Sequence, residues 1–230
     1  MQQPLFISIF LEAVSEIVER RWTLLQALVL PVLCMSLVEV VAYSVELSTV
    51  GHAIAWIADT ALYAMFAVTC HRTIILGDVE VPGAYGLFWT FREMRFLGWI
   101  FVVMVPLFLL GIPLGAIILA VPAEWLRSIL LYVAFSHVSL RFSMVFPATA
   151  VEHRASLADS WTATSGNGLS LLGAATIPVL LAMALYWPLD SALADSLNTL
   201  AHIPYQLVGF LLLAVEVGII SVAYKHITFS

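Results

Sequence analysis

The sequence of residues 96–120 is FLGWIFVVMVPLFLLGIPLGAIILA, and it contains no charged side chain. A membrane-spanning helix needs about 20 mostly apolar residues, because the hydrocarbon core is about 30 Å thick and each helical residue rises about 1.5 Å. Residues 96–120 meet that requirement in full. This stretch therefore predicts a transmembrane helix.

The composition of the whole chain agrees with this prediction. Of 230 residues, 62% are hydrophobic and 10% are charged, and the mean hydropathy is +1.03. Soluble domains carry roughly 45–50% apolar and about 25% charged residues. The net charge of −6 disfavours a nucleic-acid partner, because binding phosphates along a duplex needs a basic surface. The remaining class is a polytopic α-helical membrane protein, whose first partner is the lipid bilayer.

Six apolar runs are long enough to cross a bilayer. Strands of a closed barrel would alternate polar and apolar residues over about 10 positions, and these runs do not alternate. The sequence therefore predicts an all-α fold and a single integral membrane domain over residues 1–230. Its six transmembrane helices are expected at about 22–44, 50–76, 96–120, 125–149, 168–187 and 205–227.

The basic residues predict the orientation of the spans. Arg127 lies at the opposite face from the other flanking bases, and Arg141 lies inside a span. Because Lys and Arg accumulate in cytoplasmic loops, both termini of this multi-pass protein are predicted to be cytoplasmic. Seven of the nine bases mark that side: Arg20, Arg21, Arg72, Arg92, Arg95, Arg154 and Lys225.

Residues 4–19 have the pattern of an amphipathic helix. One face carries apolar side chains such as Phe6, Ile9 and Ala13, and the opposite face carries Glu12 and Glu16. Such a helix can lie in the membrane interface or pack beside the cytoplasmic ends of the spans. The acidic face favours packing, because it disfavours attraction to anionic lipid.

The second long cytoplasmic loop contains a helix signature. Ser156 and Asp159 have the spacing of a capping box, and residues 166–168 (Gly-Asn-Gly) can end a helix. We therefore expect a short interfacial helix bearing Trp161. A shift of 72 residues aligns Trp161-Thr162 with Trp89-Thr90 of the first loop, which leaves either an internal duplication or a chance match.

Scattered motifs between residues 65 and 180 carry a resemblance to a known group. They are HRTIILG at 71–77, REMRFLG at 92–98, Arg141 with Pro147-Ala148, and Ser160-Trp161 with Gly166-Asn167. With these motifs the chain resembles bacterial six-span inner-membrane proteins of the YciC-like group, and the membrane domain attached to some glycerophosphodiester phosphodiesterases. The resemblance implies a bacterial inner membrane and a six-span fold. No phosphodiesterase catalytic half accompanies the motifs, so that activity is not implied.

Four ionisable residues are predicted to lie at membrane depth: Asp59, His137, Arg141 and Glu216. At about 1.5 Å per residue they lie about 13, 18, 24 and 16 Å below the outer ends of their spans. Placing a charge there costs about 2.5–3.5 kcal/mol on insertion scales, so such residues are candidates for a substrate or ion pathway. Span two also carries one polarisable stripe at helical spacing, formed by His52, Trp56, Asp59 and Tyr63.

Two interpretations of these residues stay open. In the structural one, Glu216 or Asp59 pairs with Arg141 or His137 and fixes the helix register. In the functional one, they line a polar cavity for an ion, a proton or a polar headgroup. Three acids including Glu39 face one permanent cation, so at least one acid should be protonated or solvated if all point inward.

Other patterns are weaker. Arg72, Arg154 and Lys225 form a cytoplasmic basic ring, which could meet lipid headgroups but is also ordinary anchoring. Gly111 and Gly115 form a small-xxx-small motif suited to helix packing. The His and Cys residues lack metal-ligand spacing, and no catalytic motif or cofactor fingerprint is present.

These features support three functional hypotheses. The first is a non-enzymatic protein that acts in envelope organisation or as an accessory subunit of a membrane complex. The alternative is a small permease or carrier that uses the midplane ionisable residues, with an ATPase as a further partner because residues 158–178 faintly resemble a permease coupling loop. The third is an intramembrane lipid-modifying enzyme, a hypothesis that only the basic ring supports.

Overall fold

A computed structural model describes residues 5–44, 48–77, 89–119, 121–193 and 202–229. These ranges are almost entirely helical and contain no strand. Residues 4 and 120, at the edges of two predicted segments, lie outside the described ranges. Residues 78–88 of the first long loop also lie outside them, so the internal duplication stays a prediction. The helices are α1 Leu5–Glu19, α2 Arg21–Ser44, α3 Thr49–Leu76, α4 Phe91–Leu119, α5 Glu124–Phe142, α6 Val145–Ala150, α7 Leu157–Ala163, α8 Gly168–Leu193 and α9 His202–Phe229.

Six helical segments are long and apolar enough to cross a membrane, which confirms the predicted all-α fold class. Five of them lie within the single helices α2, α3, α4, α8 and α9. The sixth combines α5 and α6. The chain is a multi-pass membrane protein by length and composition of its helices.

The packing places α9 at the centre of the bundle and α4 at its edge. Of the residues in the membrane-crossing window, 56% are buried in α9 but only 6% in α4. α9 contacts α1, α2, α3 and α8, whereas α4 packs against α3, α5 and α6. At the core, Phe66 of α3 meets Phe210 of α9 edge to face, with ring centroids 5.1 Å apart. Leu24, Leu28, Phe96 and Leu213 are buried in the same cluster.

The fourth span is interrupted, although the sequence predicts one helix over 125–149. α5 ends at Phe142 and α6 begins at Val145. Pro147 explains the break, because proline has no N–H and its ring clashes with the carbonyl four residues earlier. Ser160 of α7 replaces the lost backbone bonds: its Oγ donates to the Arg141 carbonyl (2.8 Å) and accepts from the Met144 N–H (3.1 Å). Satisfying these groups inside the protein is required at membrane depth.

The predicted loop helix is confirmed as α7. The Ser156 side chain accepts from the Asp159 N–H, and the Asp159 carboxylate accepts from the Ser156 N–H at 3.1 Å, which is the complete capping box. Gly166 adopts a left-handed φ of 85° just beyond the helix. Trp161 lies on α7, as expected.

Packing of the amphipathic helix against the spans is confirmed for α1. Ile9 and Ala13 are buried in a cluster that includes residues of α8 and α9. Phe6 and Ile17 lie over two glycines, because a Cβ on Gly173 would stand 3.2 Å from Phe6 and one on Gly218 would stand 3.0 Å from Ile17. The two glycines thus let α1 approach both helices closely.

Only one glycine of the predicted packing motif makes a close contact. A Cβ on Gly111 would stand 2.9 Å from the tip of the Phe135 ring of α5, so a larger residue here would require that ring to shift. Gly115 has no described neighbour within 4 Å of its Cβ position. The α4–α5 contact therefore depends on the first glycine of the motif.

Candidate functional site

A cavity of about 540 Å³ opens among α2, α3, α4, α5, α6 and α9. Its wall is mostly apolar and includes Met35, Trp56, Phe96, Ile100, Met104 and Phe146. The polar side chains on the wall are Asp59, Thr60, Tyr63, His71, Ser139 and Ser143. Predominantly apolar walls with a few convergent polar groups are typical of small-molecule sites.

The predicted stripe on α3 forms one wall of this cavity. Trp56, Asp59 and Tyr63 all line it, because positions three and four apart share a helix face. Trp56 is oriented by Phe101 of α4, whose ring meets it edge to face at 6.0 Å. His52, the fourth member of the stripe, is exposed. An indole, a carboxylate and a phenol therefore stand side by side in an apolar chamber.

His71 is held at the cavity wall by a short hydrogen-bond chain. Its Nδ1 lies 2.7 Å from Ser221 Oγ, and the Ser221 hydroxyl lies 2.7 Å from the Val217 carbonyl. A serine hydroxyl has one proton, so both contacts are satisfied when Nδ1–H donates to Ser221 and Ser221 donates to Val217. His71 is 1% exposed, and this chain leaves its Nε2 as an acceptor.

Two of the remaining hydroxyls are occupied by their own helices. Thr60 donates to the Trp56 carbonyl at 2.7 Å and Ser143 donates to the Leu140 carbonyl at 2.8 Å. Such local bonds satisfy hydroxyls in membrane helices. The hydroxyl protons of Thr60 and Ser143 are therefore already used within the chain.

The four predicted ionisable residues do not converge on one site. Asp59 lines the cavity, whereas Glu216 lies on α9 and is not among the lining residues. The ion pairs seen among the described residues do not include one between His137 or Arg141 and a carboxylate, so the pairing with Glu216 or Asp59 stays a prediction. Arg141 instead lies over the Trp161 ring, 4.4 Å from its centroid. The Glu39 side chain lies outside the described residues.

α5 separates the cavity from a second polar region. Ser139 and Leu140 face the cavity, while His137 and Arg141 pack against the start of α8. A Cβ on Gly168 would stand 2.9 Å from His137 Cε1 and 3.6 Å from Arg141 Cδ. The absence of a side chain at Gly168 therefore admits both residues beside the α8 N-terminus.

The predicted basic ring is largely occupied by partners within the chain. Arg72 donates to the Ala150 carbonyl at 3.0 Å and lies 3.9 Å from Glu152, which also pairs with Arg92 at 3.0 Å. Lys225 Nζ lies 2.7 Å from a carboxylate oxygen of Glu16. Arg154 is exposed, so it is the member of the ring that faces outward.

Glu93 and Glu152 pair with the basic residues at this end of the bundle, and the sequence predictions name neither of them. Glu93 is 3% exposed and accepts from the Thr90 N–H at 2.8 Å and from the Thr90 hydroxyl. The spacing of Thr90 and Glu93 is itself a capping-box pattern, so a sequence signal existed for Glu93. Glu152 has no comparable local signal, since its partners Arg72 and Arg92 are brought to it by the fold.

The described residues contain no cluster of three or more His, Cys, Asp or Glu side chains that could hold a metal ion. No protein-family model, curated protein or solved structure matches this chain.

Proposed function

We propose that the protein is a small, non-enzymatic membrane carrier that binds an organic cation with a long apolar body. The observation that carries the proposal is the Asp59 carboxylate on the wall of a mostly apolar cavity at membrane depth. A carboxylate in such surroundings attracts a positive charge more strongly than it would in water, because the local dielectric constant is low.

The aromatic rings beside Asp59 support the same ligand class. Trp56 and Tyr63 line the cavity on either side of the carboxylate along α3. Faces of indole and phenol rings attract ammonium groups, with quaternary ammonium ions as a recurrent ligand. The apolar side chains that complete the wall provide room for a hydrocarbon chain.

We also propose that the carrier lies in a bacterial inner membrane with both ends of the chain in the cytoplasm. Two observations support this. Arg20, Arg72, Arg92 and Lys225 are linked by ion pairs or hydrogen bonds at one end of the bundle, and Lys and Arg concentrate on cytoplasmic faces. The paired ends of α1 and α9 lie at that same basic end.

Reporter fusions test this orientation. Green fluorescent protein fused after residue 230 should fluoresce, and alkaline phosphatase fused after Ala123, beside the opposite end of α5, should be active. Activity of the phosphatase at residue 230 with none at Ala123 would reverse the proposed orientation.

Cation binding is tested by replacing Asp59 with asparagine. The probe is a long-chain quaternary ammonium bearing a nitroxide, titrated against the full chain in nanodiscs and followed by quenching of tryptophan fluorescence, because Trp56 lines the cavity. We expect saturable quenching that weakens about tenfold or more in Asp59→Asn, since hydrogen bonds and contacts to a charged group contribute roughly 1.5–3 kcal/mol. Proteoliposomes should admit the probe faster than protein-free vesicles.

Glu124→Gln is the matched control. It removes one carboxylate from the start of α5, where the side chain is exposed and pairs only with Arg127 among described residues, so binding should be unchanged. A nitroxide alcohol or carboxylate of the same chain length should bind more weakly than the cation. Equal quenching by all three probes, or an unaltered Asp59→Asn protein, would refute the carrier and leave the accessory-subunit role as the better account.

A further inference from the structure

We infer that a phosphate group binds where α5, α7 and α8 meet, held by Arg141 at the N-terminus of α8. This site is separate from the cavity, which lies on the other side of α5. The phosphate comes either from a lipid headgroup or from a free phosphate ion, which share the same recognition chemistry.

The first step is the environment of Arg141. Arg141 as a whole residue is 9% exposed. The Nε atom is buried and has no hydrogen-bond partner, and no described carboxylate pairs with the side chain. Trp161 covers one face of the guanidinium, which contributes a cation–π interaction but accepts none of its five N–H groups.

The second step is that this charge requires an anion. An arginine stays protonated even when it is buried, so it cannot escape the desolvation cost by losing its proton. A buried charge is stable when a counter-charge or a full set of hydrogen bonds accompanies it. Within the described residues Arg141 has neither on its side chain, and a bound anion would supply both.

The third step is the helix end beside Arg141. α8 has 26 residues and begins at Gly168. The first N–H groups of a helix lack intrahelical acceptors and carry a partial positive charge, which together favour an anion. The stem of Arg141 and the His137 ring both approach the Gly168 position within 4 Å, so two side chains with N–H donors meet the same helix end.

Phosphate matches Arg141 and the N-terminus of α8 better than the carboxylate of a membrane-embedded ligand would. The guanidinium fork matches phosphate oxygens in a bidentate manner, and backbone N–H groups can meet the remaining oxygens. Arg141 also lies about 24 Å below the outer end of its span, close to the depth of the headgroups on the other leaflet.

The experiment compares two phosphate sources with a lipid that lacks phosphate. Binding of inorganic phosphate to the full-length, delipidated protein in detergent is measured by calorimetry. Binding of short-chain phosphatidylglycerol, and of a diacylglycerol with the same acyl chains, is measured by native mass spectrometry. We expect phosphatidylglycerol to bind and diacylglycerol not to bind. Arg141→Gln should weaken phosphate binding about tenfold or more, while Arg141→Lys should show an intermediate loss.

Arg127→Gln is the matched control, because Arg127 lies at the other end of α5 and pairs with Glu124 at 3.4 Å. Should Arg141→Gln fail to fold, hydrogen exchange on the wild-type chain decides: phosphate or phosphatidylglycerol should slow the amides of residues 168–170, which precede the first amide bonded within the helix, that of Leu171 to the Asn167 carbonyl. Binding of the lipid alone or of the ion alone supports the site and identifies the source of its phosphate, and binding of both supports a site that accepts either source. Unslowed amides, equal binding of diacylglycerol, or full binding by a folded Arg141→Gln protein would overturn it.

Discussion

Glu16→Lys is expected to lower the free energy of unfolding by about 1–3 kcal/mol, between the cost of breaking an exposed ion pair and that of breaking a buried one. Glu16 lies 2.7 Å from Arg20 and 2.7 Å from Lys225, and its side chain is only 13% exposed. The substitution removes the anion between two cations and adds a third cation, so α1 should separate from α9. Equilibrium unfolding in detergent measures the loss, and hydrogen exchange over residues 5–19 reports the separation.

Glu12→Lys is the matched control on the same helix. Glu12 pairs with His226 at 2.8 Å, but the two side chains are 39% and 55% exposed. Exposed pairs contribute about 0–1 kcal/mol, so this change should cost less than 1 kcal/mol and leave α1 docked. Equal losses in the two variants would show that the Glu16 bridges do not hold α1.

Phe66→Ala is expected to cost about 3–5 kcal/mol, because it leaves a cavity where a large side chain is fully enclosed. Phe66 is 1% exposed and meets Phe210 at the contact between α3 and α9. The measurement is equilibrium unfolding in mixed micelles, monitored by circular dichroism.

Phe108→Ala provides the comparison for that loss. Phe108 has the same side chain on the peripheral helix α4 and is 68% exposed, so its truncation opens no cavity and should change stability by less than 1 kcal/mol. A loss at Phe108 as large as that at Phe66 would contradict the placement of α9 at the centre of the bundle.

The elements that the sequence predicts correctly are those with a local chemical cause. The apolar run at 96–120 leads to α4, and the spacing of Ser156 and Asp159 leads to α7. The acidic and apolar faces of residues 4–19 similarly lead to a packed α1. Each of these signals lies within one helix turn or one helix length, so no knowledge of neighbouring helices is needed.

The faces of the spans could not be predicted in the same way. Membrane helices are apolar all round, so their hydrophobic periodicity does not tell which side meets another helix. Asp59 and Glu216 lie at similar calculated depths, yet only Asp59 lines the cavity, because the rotation of α3 and α9 about their axes directs the two side chains to different surroundings. Only the α3 stripe carried a helix-face signal, and three of its four members line the cavity.

Pro147 is a sequence signal for the break between α5 and α6, but the long apolar run around it favours one uninterrupted helix. Pro147 stands inside an apolar run long enough for one uninterrupted helix, and proline is tolerated in membrane helices when other groups satisfy the freed backbone. Whether it breaks the helix depends on Ser160, which lies 13 residues later and reaches the Arg141 carbonyl only in the folded chain.

The contact between Glu16 and Lys225 spans 209 positions of sequence, and it therefore sets an order of events during synthesis. At about 5–20 residues per second, roughly 10–40 s separate the translation of the two residues. During that interval the apolar side of α1 has no Gly218 to pack against, and Glu16 has only Arg20 of its two partners. Docking of α1 against α9 is therefore a late step of biogenesis, and a chain that ends before α9 lacks the Lys225 partner of Glu16.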